Sequence, residues 1–269
     1  MLRRLAVLGQ PVAHSRSPGI HNAALAALGL DREWSYEAIE LAPADFPAFV
    51  RAMPAAGFVG ANVTVPHKRA ALEAADDPSP TAVEIGAANT LSFAGGRVAA
   101  ENTDAAGLLA ALPESPKGRR ALVLGAGGAA RAAVWALKGE GASVEVWNRT
   151  LGRADAIVED LGARALASDD RLRANDYDLI VNATAAGMEG EDPFRDLPIA
   201  PGSFGPGQVV VDLVYGDAET ALIGAARERG AAVVDGLEVL VRQGALSFRI
   251  WTGQDPPLDV MRSAVRAGR

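Results

Sequence analysis

The 269-residue sequence predicts an α/β fold in two domains, the second of which is a doubly wound parallel sheet of the Rossmann type. Three observations lead to this prediction. Short apolar segments alternate with Ala-rich segments of helical character along most of the chain. A polar connector that contains two prolines, residues 113–118, separates two such series. Beyond it, an apolar strand runs straight into a glycine-rich turn at residues 125–130.

The composition fits a globular protein and excludes several classes of function. Hydrophobic residues make up 49% and charged residues 22%, which supplies a buried core and excludes disorder for most of the chain. A net charge of −7 argues against broad nucleic-acid binding, which requires a basic face. No apolar run reaches the ~18 residues of a membrane-spanning helix. Because the chain has no cysteine, disulfides and thiolate metal sites are excluded, and a reducing cytoplasm is the expected location.

The N-terminal series alternates strands and helices. Apolar or alternating segments predict strands at 5–8, 34–41, 60–65, 90–93 and 98–101. Segments rich in Ala and bounded by Pro or Gly predict helices near 18–29, 44–53 and 67–75. The last two strands flank Gly95 and Gly96, so they predict a hairpin.

The second series begins after the connector and has the pattern of a nucleotide-binding domain. Buried strands are predicted at 120–124, 143–147, 177–182, 208–213 and 231–234. A helix follows the glycine-rich turn, as a doubly wound fold requires. The tail from residue 237 is helical, and its pattern alone does not assign it to either domain.

The glycine-rich turn fits the pattern G-x-G-x-x-A between a strand and a helix. Gly125 would permit the tight turn, Gly127 would let the backbone approach a pyrophosphate, and Ala130 would let the helix pack closely on the sheet. The candidate phosphate-binding residues are Gly125, Ala126, Gly127, Gly128 and Ala129. The alternative is a glycine turn in an α/β domain that binds no nucleotide.

The end of the second strand of this domain predicts NADP rather than NAD. An NAD site usually has Asp or Glu there, whereas this strand ends in Asn148-Arg149-Thr150, with Arg153 close behind. Guanidinium groups pair with phosphate oxygens, so this set suits a 2′-phosphate. Glu145 is the nearby acid, but it lies in mid-strand. The alternative is that both arginines are ordinary solvated residues.

Polar residues before the first helix indicate a site for a carboxylate. Ser15 and Ser17 flank Arg16 just ahead of the helix that Pro18 opens. Hydroxyl donors beside a helix N-terminus favour an anion. The alternative is that Ser17 is only the N-cap of that helix.

Lys68 and Asp104 are the candidate acid/base residues. Lys68 is one of three lysines in the chain and falls in the first turn of a predicted helix, where the macrodipole disfavours its positive charge. Asp104, in the segment Asn102–Gly107, could hold the ammonium group and share protons with it during turnover, or could be a plain N-cap. A solvated lysine is the alternative for Lys68. The three histidines lack the spacing of metal ligands, so no metal site is predicted.

Eight segments together match the motifs of a known family. They are H-S-x-S-P-x-x-H-N at 14–22, N-V-T-x-P-x-K at 62–68, G-A-x-N-T at 86–90, N-T-D-x-x-G at 102–107, G-A-G-G-A-A-R at 125–131, N-R-T at 148–150, N-A-T-x-x-G-M at 182–188 and D-G-L…L…Q-G-A at 235–245. The chain resembles the shikimate dehydrogenase family over nearly its whole length. The resemblance implies a substrate domain of residues 1–104 with the C-terminal helices 237–269, an NADP domain of residues 105–236, and a cleft between them.

The resemblance also implies an activity and its residues. Family members reversibly reduce 3-dehydroshikimate to shikimate with NADPH, on the route to aromatic amino acids. Lys68 would be the catalytic acid/base and Asp104 its partner. The substrate would meet Ser15, Ser17, Thr64, Lys68, Asn89, Asp104, Tyr215 and Gln243. NADP would meet residues 125–129 together with Asn148, Arg149, Thr150 and Arg153, and its nicotinamide side would meet Thr184, Leu213 and Gly236.

Two departures and three alternatives accompany this prediction. Residues 212–220 lack a proline that the family often has, which predicts a looser loop around Tyr215, and Val239 stands where the family often has Met. The alternatives are a quinate/shikimate dehydrogenase of broader substrate choice, a non-catalytic NADP-binding sensor and a folate-type dehydrogenase, which the serine pair fits poorly. The expected partner is a small-molecule substrate, without nucleic acid or membrane, and the sequence does not decide whether the chain forms a homodimer.

Overall fold

The computed structural model describes residues 2–167 and 171–267 and divides the chain into two compact units. The first consists of the described residues within 1–107 and 240–268, and the second of residues 108–239. The resemblance had placed these boundaries after residues 104 and 236. Both observed boundaries fall inside a helix, so the backbone continues across them without a loop.

The first unit contains a mixed six-stranded sheet. Its strands are β1 (Arg3–Gly9), β2 (Trp34–Glu40), β3 (Phe58–Val63), β4 (Asp77–Pro78), β5 (Thr90–Ala94) and β6 (Arg97–Glu101), in the order β2-β1-β3-β5-β6-β4. β1 pairs in parallel with β2 and β3, whereas β3–β5 and β5–β6 are antiparallel. The predicted hairpin is confirmed, because Ala94 pairs with Arg97 across Gly95 and Gly96, which both have positive φ as a two-residue hairpin turn demands.

Helices cover this sheet and connect its strands. They are α1 (Ser17–Ala27), α2 (Phe46–Ala52), α3 (Lys68–Glu73), α4 (Pro80–Ile85) and α5 (Asp104–Ala111), of which α5 continues into the second unit. Phe46 and Val50 of α2 are completely buried and belong to one apolar cluster with Leu8 and Leu91 of the sheet. The apolar face of α2 thereby closes the core on that side of the sheet.

The second unit contains a parallel six-stranded sheet of Rossmann type. Its strands are β7 (Arg120–Leu124), β8 (Ser143–Trp147), β9 (Arg164–Ala165), β10 (Leu179–Asn182), β11 (Val209–Asp212) and β12 (Ala232–Val234), in the order β12-β11-β10-β7-β8-β9. The helices are α6 (Gly128–Gly139), α7 (Leu151–Leu161) and α8 (Ala221–Glu228). The order reverses between β7 and β10, which creates the switch point where such folds bind ligands. The predicted doubly wound fold is confirmed.

The strands of the second sheet are buried on both faces. Val123 of β7 belongs to one apolar cluster, with Val134 of α6 and Val146 of β8. Its neighbours Leu122 and Leu124 belong to a different cluster on the opposite face. A strand buried on both faces has a continuous apolar sequence, which explains why 120–124 shows no polar alternation.

The chain ends in two helices, α9 (Gly236–Thr252) and α10 (Leu258–Ala267). The first four residues of α9 belong to the second unit and the rest to the first, where Phe248 is completely buried. In the part of the chain that the structure describes, no helix combines the length and the apolarity that crossing a membrane would require.

Candidate active site

Lys68 and Asp104 form an ion pair in the first unit. Lys68 is the first residue of α3 and Asp104 the first residue of α5, 36 positions further along the chain. The Nζ atom lies 2.5 Å from Oδ2 of Asp104, and the two side chains are 14% and 17% exposed. The structure thus excludes the interpretation of Lys68 as a freely solvated lysine. An ammonium group held this close to a carboxylate, with one side still open to solvent, can give and take a proton.

Asp104 is not the N-cap of its helix. Oδ1 of Asn102 accepts hydrogen bonds from the backbone N–H groups of Asp104 (3.1 Å) and Ala105 (3.3 Å), so Asn102 does the capping. The Asp104 carboxylate is therefore available for side-chain partners. Its Oδ2 meets Lys68, and its Oδ1 accepts from Nδ2 of Asn89 at 2.9 Å.

Asn89 connects this pair to α9. Its Nδ2 also lies 3.0 Å from Oε1 of Gln243, and Nε2 of Gln243 donates to the carbonyl of Leu240 at 2.8 Å. Asn89 and Gln243 are 2% and 7% exposed. Four of the predicted site residues, from four separate motifs of the sequence, are therefore joined in one hydrogen-bonded group: Lys68, Asn89, Asp104 and Gln243.

Buried hydroxyl and amide groups beneath these residues were missed in the sequence. Oγ of Ser247 lies 2.8 Å from Oγ1 of Thr90 and 3.2 Å from Oγ1 of Thr103, and it accepts from Nδ2 of Asn62 at 2.9 Å. Thr103 Oγ1 in turn accepts from Asn89 Nδ2 at 2.9 Å. Three of these residues lie inside the quoted motifs, and Ser247 follows Gln243 by one helical turn, which is the signal that could have found it.

The predicted carboxylate-binding serines lie at the start of α1. Ser17 is the first residue of that helix and 5% exposed, and its backbone N–H donates to Oγ of Ser15 at 3.3 Å. The interpretation of Ser17 as a side-chain N-cap is wrong, because Arg16 holds the cap position and no side chain caps the helix. Thr64 directly follows β3 and is half-buried. Among the described residues, none of these three hydroxyls is hydrogen-bonded to Lys68 or Asp104.

Two of the three histidines have packing roles. His67 stacks on Phe46 with ring centroids 4.6 Å apart, and its Nε2 lies 2.8 Å from the carbonyl oxygen of Leu41. His21 is 1% exposed and stacks on Tyr36 at 4.3 Å. Burial lowers the pKa of His21 from 6.5 to about 3, against the effect of a contact with Asn62. His21 is therefore neutral at physiological pH.

The glycine turn of the second unit has the geometry of a phosphate-binding loop. Gly125 has a φ of +112°, and a Cβ there would lie 2.8 Å from the carbonyl oxygen of Ala183. Gly127 precedes α6 with no side-chain cap, and a Cβ at this position would meet nothing within 4 Å. The fold itself thus requires glycine at 125 but leaves open space at 127. Ala126 lies in the turn, and Gly128 and Ala129 begin the helix, so their N–H groups can face an anion in that space.

Two exposed arginines, Arg149 and Arg153, follow the end of β8. Arg149 is 83% exposed, with Nη1 3.8 Å from Oδ1 of Asp196, and Arg153 is exposed on α7. Asn148 donates from Nδ2 to the carbonyl of Thr150 at 2.8 Å, which shapes the turn into α7. The groups present therefore fit the 2′-phosphate of NADP.

Glu145 is occupied elsewhere in the same unit. Its carboxylate accepts from Arg164 Nη1 at 2.6 Å and from the Tyr177 hydroxyl at 2.5 Å. The side chain is only 11% exposed, since these partners cover it. Glu145 is therefore not placed to bind a ribose, in agreement with its mid-strand position.

The remaining predicted cofactor residues, Thr184, Leu213 and Gly236, follow β10, β11 and β12. Thr184, two residues beyond β10, donates from Oγ1 to Oδ1 of Asn182 at 2.7 Å. Gly236 begins α9, and a Cβ there would lie 2.8 Å from the carbonyl oxygen of Leu213. Tyr215 lies on the loop after β11 and is half-buried. It belongs to the second unit, whereas the other predicted substrate-binding residues belong to the first.

Comparison with known proteins assigns a family to this fold and these residues. Three family models match the chain: the shikimate dehydrogenase substrate-binding domain at 7–91, shikimate/quinate 5-dehydrogenase at 109–189 and the shikimate 5′-dehydrogenase C-terminal domain at 236–266. A shikimate dehydrogenase (NADP(+)) of Brucella canis is 44% identical over 94% of this chain and 90% of its own length. The chain belongs to the shikimate dehydrogenase family.

Other shikimate dehydrogenases agree over the whole length. The NADP(+) enzyme of Methanothermobacter thermautotrophicus is 42% identical over 97% of this chain and 94% of its own. The solved shikimate dehydrogenase of Thermus thermophilus, in complex with NADP(H) and shikimate, has 43% identity and a TM-score of 0.90, and the match covers 100% of both chains. The resemblance and the fold class predicted from the sequence are confirmed.

Proposed function

We propose that this chain is an oxidoreductase that catalyses the reversible, NADP-dependent reduction of 3-dehydroshikimate to shikimate, a step towards aromatic amino acids. The observation that carries this proposal is the Lys68–Asp104 pair, with Asn89 and Gln243 joined to it, inside a chain of the shikimate dehydrogenase family. Relatives that are 44% and 42% identical over nearly the whole chain are NADP(+)-dependent shikimate dehydrogenases, which favours an enzyme over a binding protein without chemistry. The non-catalytic sensor is therefore the weaker candidate.

Lys68 is the proton donor in the direction of reduction. Bound NADPH supplies the hydride that reduces the ring ketone. Negative charge then develops on the carbonyl oxygen, and the Lys68 ammonium stabilises it and delivers the proton. Asp104 orients the ammonium group, while Asn89 fixes the second carboxylate oxygen. In the direction of oxidation, Lys68 takes the hydroxyl proton.

The hydroxyl and amide groups around this pair recognise the substrate. Asn89 and Gln243 present amide groups to the ring hydroxyls, together with Thr64 and Asp104. Ser15 and Ser17, at the start of α1, donate to the substrate carboxylate, and Tyr215 contributes from the loop after β11. Each of these groups bonds to an oxygen of a polyhydroxylated acid, which explains a site so rich in uncharged donors.

NADP is held by the second unit. Residues Gly125 to Ala129 bind the pyrophosphate at the start of α6, and Asn148, Arg149, Thr150 and Arg153 bind the adenosine 2′-phosphate. Thr184, Leu213 and Gly236 line the nicotinamide side. The preference for NADP over NAD is supported by exposed arginines at the end of β8 and by the engagement of Glu145 with Arg164 and Tyr177.

The direct test is a spectrophotometric assay of NADP⁺ reduction by shikimate. We expect turnover with NADP⁺ and shikimate, and much lower kcat/KM when NAD⁺ replaces NADP⁺. Quinate in place of shikimate distinguishes a strict shikimate dehydrogenase from an enzyme of broader substrate choice. NADP⁺ binding without reduction, with either substrate, would contradict the proposal and favour the sensor.

Location and assembly are further proposals. The absence of cysteine from the sequence is compatible with action in the cytoplasm. A homodimer is compatible with the chain as well. Analytical ultracentrifugation of the purified protein decides between monomer and dimer.

A further inference from the structure

We infer that Asp212 is a positioning residue, which orients the groups after β10 and β11 that hold the nicotinamide half of NADP. This inference rests on the proposed function. Asp212 is the last residue of β11 and 1% exposed. Neither the sequence motifs nor the proposed mechanism gives its carboxylate a role.

Three donors converge on the Asp212 carboxylate. Its Oδ1 accepts from Nδ2 of Asn182 at 2.9 Å and from the backbone N–H of Val214 at 3.1 Å, and its Oδ2 accepts from Oγ1 of Thr220 at 2.6 Å. Both oxygens are thus occupied by donors from the strand end beside it, from its own loop and from the start of α8. Asp212 therefore ties together three segments at the carboxyl end of the sheet.

The contact with Asn182 fixes the orientation of an amide. Because Nδ2 of Asn182 faces the carboxylate, its Oδ1 must face the other way, where it accepts from Thr184 N (3.1 Å) and Thr184 Oγ1 (2.7 Å). Thr184 Oγ1 then accepts from the backbone N–H of Ala186 at 3.0 Å. Nδ2 of Asn182 also donates to the carbonyl of Ala186, at the longer distance of 3.3 Å. Removal of the carboxylate leaves the amide with this weaker bond alone on its Nδ2 side among the described residues, so it is held less firmly. That would loosen Thr184, which the proposed function places beside the nicotinamide.

The contact with Thr220 closes the loop after β11. Thr220 is the N-cap of α8 and accepts from the backbone N–H of Ile223, while its hydroxyl donates to Asp212 across eight residues. The enclosed segment carries Leu213 and Tyr215. This segment lacks the proline that the family often has, which would restrict its backbone. The Asp212–Thr220 contact restrains the loop by holding its two ends together.

The carboxylate is costly to bury, which argues that it has a role. Among the residues that the structure describes, no Lys, Arg or His pairs with Asp212. Burial raises the pKa of Asp212 to about 6, although the hydrogen bonds from Thr220, Val214 and Asn182 act to lower it. A core that needed only packing would be more stable with an uncharged residue here.

The test compares two ligands in an Asp212→Ala variant. The ligands are NADP⁺ and adenosine 2′,5′-bisphosphate, which contains the 2′-phosphate but no nicotinamide. We expect Asp212→Ala to weaken NADP⁺ binding and lower kcat by about 10- to 100-fold, the range for one buried hydrogen bond to a charged group. The Kd of the bisphosphate should change less than about twofold, since the groups proposed for the 2′-phosphate, at the end of β8, do not depend on Asp212. Asp212→Asn, which keeps one acceptor oxygen, should recover most of the loss.

Three outcomes would overturn the inference. In the first, Asp212→Ala weakens both ligands equally, as a general loss of structure would. In the second, the variant has wild-type kcat and NADP⁺ affinity. In the third, Asp212→Asn is as impaired as Asp212→Ala, so that an acceptor oxygen alone does not restore the site.

Thr220 supplies a second test if Asp212→Ala does not fold. Thr220→Val removes the hydroxyl at nearly constant volume, and Thr220→Ser retains it as the matched control. We expect Thr220→Val to lower kcat and NADP⁺ affinity relative to Thr220→Ser, again without effect on the bisphosphate. Equal behaviour of the two variants would overturn the inference. The proposed function fails separately, when the wild-type protein does not reduce NADP⁺ with shikimate.

Discussion

At the scale of the residue, the buried side chains of His21 and Asp212 change the pH dependence of stability in opposite directions. The pKa of His21 is lowered to about 3 by burial, and that of Asp212 is raised to about 6 by burial. Below its ordinary pKa of 6.5, His21 binds a proton in the unfolded chain but not in the folded one, so stability falls as the pH drops from 6.5 towards 3. As the pH drops, Asp212 binds a proton in the folded chain before it does so in the unfolded chain. Between pH 6 and its ordinary pKa of 3.8, stability therefore rises as the pH drops.

Between about pH 4 and 6, the contributions of His21 and Asp212 to the pH dependence of the free energy of unfolding should cancel in the wild-type protein. A variant that removes one of the two side chains should reveal the contribution of the other. Asp212→Asn removes the stabilising protonation, so its free energy of unfolding should fall by roughly 1.4 kcal/mol more per pH unit than that of the wild type as the pH drops. His21→Phe keeps a ring against Tyr36 and removes an Nδ1 atom that has no hydrogen-bond partner among the described residues. As the pH drops, its free energy of unfolding should rise by roughly 1.4 kcal/mol per pH unit relative to that of the wild type.

Urea denaturation of the three proteins at several pH values between 4 and 6.5 measures these slopes. A similar dependence on pH in all three would show that neither side chain has the shifted pKa assigned to it. The wild-type curve is the reference, because the other titrating groups are common to all three proteins.

Residue by residue, the sequence predicted which motifs meet better than it predicted how each side chain is hydrogen-bonded. Lys68 and Asp104 were paired from their motifs alone, and the structure joins them. The alternative interpretation of Ser17 and Asp104 as N-caps is wrong, and the sequence left it open because a Ser or Asp near a helix start is compatible with several positions in the first turn. Ser247 and Asp212 were missed because their partners are far along the chain or on another strand.

At the scale of the element, the start of α6 has a glycine, Gly127, that the proposed ligand requires but the fold does not. Gly127 precedes the helix with extended backbone, and a Cβ would meet nothing there. Gly127→Ala should therefore fold with a melting temperature near that of the wild type. Its affinity for NADP⁺ should fall at least tenfold, because the methyl group would occupy the space into which the pyrophosphate fits.

Gly139→Ala is the matched control at the other end of the same helix. A Cβ at Gly139 also meets nothing within 4 Å. This variant should bind NADP⁺ as the wild type does and gain up to ~1 kcal/mol in stability, since alanine is the better helix former. Calorimetric titration with NADP⁺ checks both variants. Unchanged affinity in Gly127→Ala would remove the cofactor from this turn.

Long and strongly patterned elements were predictable, whereas very short ones were not. The strands from 120–124 and 143–147 were placed to the residue, because their apolar runs end at a glycine turn and a polar triplet. β4 and β9 have two residues each and exist only through pairing with β6 and β8. No local pattern can indicate a strand whose stability comes from a partner distant in the sequence.

At the scale of the whole molecule, the sequence indicated two domains but not where they divide. Residues 113–118 were the best linker candidate because they contain two prolines, yet the structure divides inside α5 and α9. A helix that continues across a boundary keeps its hydrophobic period, so composition gives no signal there. The resemblance implies boundaries after residues 104 and 236, and the two compact units divide after residues 107 and 239.

The proposed catalysis depends on the Lys68 ammonium group, which is held by Asp104 and transfers the proton during turnover. Steady-state kinetics of shikimate oxidation in Lys68→Ala tests this role most directly, with Lys117→Ala, an exposed lysine of the second unit, as the matched control. We predict that Lys68→Ala lowers kcat by ~10²–10⁴-fold with little change in KM, while Lys117→Ala retains wild-type values. Near wild-type turnover in Lys68→Ala would contradict the mechanism.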